Sequence, residues 1–131
     1  MVMTNQLLIT DPRELPKLVE LIHDRWLDAE SITFDSKNST LSIRYLKETG
    51  SPSPFFSRPR FPAFECSLRI SRVESFSVQD PQKVRFYDIN TVTYDPGSMT
   101  IELETGVPIK IQAVVSAIDL TAEETDTILQ G

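Results

Sequence analysis

The twelve residues VTYDPGSMTIEL, Val92–Leu103, decide the fold. Val92 and Tyr94 alternate with threonine on one side of Asp95-Pro96-Gly97-Ser98, and Ile101 and Leu103 alternate with glutamate on the other. A period of two on both arms, joined by aspartate, proline and glycine in turn order, predicts a β-hairpin with one apolar and one wet face. Similar runs lie on either side of it. Upstream, Ile32 and Phe34, the turn residues Asp35–Ser39, then Leu41, Ile43 and Tyr45 predict a second hairpin. Phe64, Cys66, Leu68 and Ile70 share one parity, Val73 the other, and Phe76 and Val78 the first again, so a bulge or break is expected near Ser71–Ser75. After the Asp80-Pro81 turn come Val84 and Phe86. Downstream of the hairpin, Ile109, Ile111, Ala113 and Val115 predict the last strand.

The ends of the chain carry helical signals. Asp11-Pro12-Arg13-Glu14 places an N-cap acid, a proline and an acid at N3 in start order. Leu15, Leu18, Val19, Ile22 and Trp26 then form one apolar stripe at i, i+3, i+4, i+7 and i+11, predicting a helix through Trp26. Pro16 lacks an amide hydrogen, so the first turn can be separate from the regular helix. Thr121-Ala122-Glu123-Glu124 repeats a capping box, and with Ile128 and Leu129 it predicts a short C-terminal helix. The expected fold is therefore α+β: an N-terminal amphipathic helix on a six- to seven-stranded, mostly antiparallel meander, flat or partly rolled, with a short closing helix. Helical crossovers between strands are missing, which excludes parallel α/β architectures.

The totals frame these elements. With 131 residues the chain is expected to form one domain over 1–131 and to hold a core without disulfides or metal. The net charge of −6 repels phosphate backbones and anionic lipid, so neither nucleic acid nor a membrane surface is an expected partner. Cys66 is the only cysteine, and Met1–Thr10 lacks both basic residues and a long apolar run, so the cytoplasm is the expected compartment.

Chemistry-bearing residues are sparse. His23 is the only histidine, which leaves too few ligands for a structural zinc or di-iron site. Cys66 shares the parity of Phe64, Leu68 and Ile70 and reads as a core thiol. Glu20, Asp24 and Asp28 fall at i, i+4 and i+8, a solvated row on the predicted helix whose carboxylates splay outward instead of converging on a cation. Asp88, Asp95, Glu102 and Glu104 are available for a hydrolytic carboxylate pair but fall at turn or outward positions. No cofactor, metal or catalytic residue is expected.

The segment 49–64, TGSPSPFFSRPRFPAF, stands apart. It holds four of the seven phenylalanines, four of the nine prolines and two arginines, with no acid. Its prolines forbid a regular helix or a central strand. Aromatics with arginine are the residue types that anchor interfaces. Phe55, Phe56, Arg58, Arg60 and Phe61 are accordingly the candidate partner-binding residues; the competing reading folds these phenylalanines back onto the core. The expected function is a small acidic, non-enzymatic interaction domain, inhibitor- or immunity-like, that uses the sheet face and this loop to meet a protein partner or a second copy. A binder of a small apolar ligand and a carboxylate-pair hydrolase are the alternatives.

Overall fold

The computed structural model describes residues 4–50 and 59–130. The chain is largely β. One ten-stranded antiparallel sheet runs β1 (Thr4–Ile9), β2 (Trp26–Asp28), β3 (Thr33–Asp35), β4 (Thr40–Glu48), β5 (Ala63–Ile70), β6 (Val73–Gln79), β7 (Phe86–Asp95), β8 (Thr100–Thr105), β9 (Lys110–Val115) and β10 (Leu120–Leu129). Its order is β1-β10-β5-β4-β2-β7-β8-β9-β6, with β3 paired to β4 beside β2. The sheet rolls. At one end of the order β6 returns to the β3–β4 hairpin, where the Phe34 and Phe76 rings stand 4.9 Å apart and the Val73 amide donates to the Ser39 carbonyl at 2.9 Å. At the other end, among the described residues, β1 has only β10 as a partner.

The Val92–Leu103 hairpin is present as expected, with Val92 opposite Leu103 and Tyr94 opposite Ile101. The Asp95 side chain closes its turn by accepting from the Gly97 amide at 2.9 Å and the Ser98 hydroxyl at 3.1 Å. The hairpin at Asp35–Ser39 joins β3 to β4, and the parity switch marks both the end of β5 and a bulge between Val73 and Ser75.

Three expectations are corrected. Among the described residues the sheet has ten strands, not six or seven, because β1, β2 and β10 join it. The helix α1 spans Leu15–Ile22 and stops short of Trp26. β7 captures the chain there: the Asp24 amide donates to the Ile89 carbonyl and the Ile89 amide to the Arg25 carbonyl, while Asp24 itself turns with φ 66°. Trp26 thus enters β2, and only Glu20 of the supposed carboxylate row stands on the helix. Finally, the C-terminal segment is a strand. β10 lies between β1 and β5 and hydrogen-bonds on both edges, which a helix this short, marginal by itself, cannot match. Its inward residues, Leu120, Ala122 and Glu124, follow a period of two.

The start of α1 fits its signature. Asp11 caps a 3-10 turn over Pro12–Glu14, accepting from the Arg13 amide at 2.9 Å, and the regular helix begins only at Leu15. Leu15, Leu18 and Ile22 are buried against the inner face, where α1 touches both β7 and β1. Burying each such side chain is worth about 1.5–3 kcal/mol. Beneath the helix, rows of side chains cross the sheet. Leu7, Ala122, Leu68 and Ile43 form one; Glu124, Cys66, Tyr45, Leu27 and Tyr87 form the next, toward the rim. No helix of the described residues is long and apolar enough to cross a membrane.

Candidate interaction site

Alternation fails within β4, and the site lies there. Tyr45 and Leu46 of β4 are adjacent yet both buried. Tyr45 faces the main core. Leu46, paired with Trp26 of β2, faces the outer side, and together with Ala63 it is buried outside the main core cluster. Pro59, also buried, and the half-buried Phe61 belong to the segment that returns toward this outer surface.

Two buried carboxyl groups fix the arrangement. Glu48 accepts from the Trp26 indole at 3.2 Å through one oxygen, and through the other from the Arg60 amide at 2.8 Å and the Arg60 Nε at 3.2 Å. Asp28, at the end of β2, is 0% exposed and gathers two arginines. Arg44 Nη2 donates to Oδ2 at 2.6 Å, while Arg85 meets both oxygens, Nε to Oδ1 at 3.1 Å and Nη2 to Oδ2 at 3.3 Å. The Glu30 amide adds a fourth donor at 3.1 Å. Burial alone would raise the Asp28 pKa, but the hydrogen bonds from Arg85 and then Arg44 outweigh it and hold the carboxyl below its ordinary range.

Arg85 links this anchor to the surface. It occupies the left-handed region at φ 75° and its carbonyl accepts from the Ala29 amide, so the backbone is held in a conformation a non-glycine residue rarely adopts. Its guanidinium lies 4.7 Å over the Phe86 ring and also reaches Glu30 at 2.7 Å. Phe86 in turn meets Phe61 edge-on, with centroids 6.2 Å apart. The result is a strip of Arg60, Phe61, Phe86 and Arg85, laid on the outer face and seated on Glu48 and Asp28. Arg85 keeps 46% of its side chain exposed.

Of the sequence-derived candidates, Arg60 and Phe61 fall in this strip, while Phe55, Phe56 and Arg58 lie outside the described residues. Phe64 belongs elsewhere, packed against the main core. Sequence reading missed Asp28, Arg44, Arg85, Phe86, Trp26 and Glu48. The one available signal was the adjacency of Tyr45 and Leu46, two large apolar residues that break the alternation of β4.

A second polar cluster lies on the inner rim. Glu124 accepts from the Tyr45 hydroxyl at 3.3 Å, with Arg25 Nε and Lys47 Nζ each 3.9 Å away. Burial, and after it the Glu124 charge, raises the Tyr45 pKa and pushes the Cys66 thiol up to about 11. Both groups are therefore protonated at neutral pH, the wrong state for a nucleophile or base. His23, at the end of α1, instead places Nδ1 2.9 Å from the Asn90 carbonyl. Asp95 serves its turn and Glu102 approaches Lys110 at 4.0 Å, each occupied separately. Among the described residues no three His, Cys, Asp or Glu side chains gather as a metal site. No protein-family model, curated protein or solved structure matches the chain.

Proposed function

We propose that this chain is a non-enzymatic protein-interaction domain whose contact surface is the strip Arg60–Phe61–Phe86–Arg85 on the outer face of the sheet. The observation that carries the reading is the two-layer arrangement around Asp28: a fully buried carboxylate holds Arg85 against the ring of Phe86, which in turn meets Phe61. Interfaces draw their energy from aromatic and arginine side chains that are held in place before binding, because little side-chain entropy is then left to lose. Arg85 is anchored in this way by a two-point ion pair and a ring. The net charge of −6 favours a basic partner, as an inhibitor- or immunity-like protein would meet, and a cytoplasmic setting suits its single, buried thiol.

The test combines cross-linking in the native cell with two variants, Phe61→Ala and Arg85→Ala. The expected result is one stoichiometric protein partner of the wild type, with affinity at least about tenfold weaker for each variant. The Phe61→Ala melting temperature should stay within about 5 °C of wild type; Arg85→Ala also takes two donors from the buried Asp28 and is therefore compared at a temperature where both proteins are fully folded. Absence of a stoichiometric partner, or equal binding by the variants, would overturn the reading.

A further inference from the structure

The free edge at β1 is the second unusual surface, and it is independent of the strip. Thr4–Ile9 has six consecutive paired residues on β10 and, among the described residues, no strand on its other side. Exposed edges are normally blunted by a charge, a proline, a bulge or a cover. The sequence TNQLLI has no charge and no proline, its register is unbroken, and Leu8 is 62% exposed. The opposite edge, β6, is guarded: Glu74 and a bulge interrupt it, and Phe34 and Ser39 of the β3–β4 hairpin lie against it.

A groove of about 380 Å³ runs along the β1 edge, lined by Asn5, Gln6 and Leu7 on one side and Lys17, Glu20 and Leu21 of α1 on the other. Leu7 faces the core and Gln6 the outer side, so the groove follows the strand's edge and not one of its faces. We infer that this edge is completed by β1 of a second copy, giving a twofold dimer with a continuous sheet.

Charge selects that occupant. A twofold axis perpendicular to the sheet pairs β1 with its copy antiparallel and keeps inward residues on the inward side. With no charge in the strand, no like charges meet across it, whatever the register. The exposed Leu8 comes to lie beside Gln6 or Leu8 of the other copy. The same axis sets the two α1 helices antiparallel, which carries Lys17 of one toward Glu20 of the other. Glu20 makes no ion pair among the described residues, and Lys17 has only an exposed contact with Glu14 at 3.4 Å. Two reciprocal ion pairs then flank the paired strands, with Leu21 between them.

Sedimentation of the full chain across a concentration series tests this. The expected particle has twice the 14.9 kDa chain mass. Leu8→Lys places like charges at the pairing edge and should weaken the dimer at least about tenfold. Since Leu8 is exposed, its melting temperature at low concentration should be unchanged. Lys17→Glu alone sets carboxylates against each other and should also weaken association, whereas Lys17→Glu with Glu20→Lys should restore it. Arg85→Ala should leave the dimer intact, which separates this interface from the strip. Single-chain mass up to about 1 mM, a dimer indifferent to Leu8→Lys, or failure of the double reversal to restore association would overturn the inference.

Discussion

Asp28→Ala is expected to cost about 3–5 kcal/mol, the range for breaking a buried ion pair from one side. For a domain of this size that lowers the melting temperature by roughly 10–15 °C, measurable by calorimetry. The two arginines left behind fare differently. Arg85 is almost half exposed and returns to water with little penalty. Arg44 has 31% of its side chain exposed, its Nε is buried with no acceptor, and its next carboxylate, Glu65, is 3.9 Å away. Most of the cost therefore arises at Arg44. Asp28→Leu combined with Arg44→Met should recover a large part of the loss, since apolar replacement of a whole buried pair is commonly neutral or better. Additive losses in that double variant would show that the pair is not the coupled unit described above.

The same residue sets a pH dependence. Asp28 has its folded pKa depressed below an unfolded value of about 3.9. Its contribution is thus fully present above about pH 4 and fades as pH falls through the lower, folded value. Wild type and Asp28→Asn should differ in stability at pH 7 and converge in strong acid. A constant difference across that window would remove the ion pair as its cause.

What the sequence disclosed, and what it hid, follows one physical division. Local turn chemistry was legible: Asp95-Pro96-Gly97 and the Asp35–Ser39 turn need nothing beyond their own side chains to close. Distant pairing was not. Leu120–Leu129 carries a capping box, yet its conformation is decided by β1 and β5, whose hydrogen-bonding edges lie fifty or more residues away. Trp26 fits the helical stripe by spacing, but Ile89 takes the backbone two residues earlier. Asp28 looked like one of a solvated row because nothing in its neighbourhood announces Arg44 or Arg85. The loop was legible as composition only. That Phe61 meets Phe86 and Arg60 meets Glu48 depends on contacts with β4 and β7 that the composition of the segment does not specify.

Cys66 provides the clearest measure of how tightly this sheet is held. Its side chain sits between Tyr45 and Glu124 in the row across β4, β5 and β10, and the residue is 1% exposed. With the thiol pushed up to about 11, only about one in a thousand is ionised at pH 8, against roughly a quarter of free thiols. The thiolate attacks a sulfur of the disulfide reagent and expels the other as a thiolate, which needs an open path to Cys66, so labelling must wait for the sheet to open. An opening free energy of at least 5 kcal/mol slows modification by at least about a thousandfold relative to the chain in urea. The rate should also follow stability. Asp28→Ala opens the sheet more often and should accelerate Cys66 labelling by the factor its equilibrium loss dictates, roughly a hundredfold or more for 3 kcal/mol. If Cys66 instead reacts at one rate in both proteins, opening at β10 or β1 is local and independent of the Asp28 anchor. The rim around Glu124 would then be the weak seam, held by one 3.3 Å hydrogen bond and two cations at 3.9 Å.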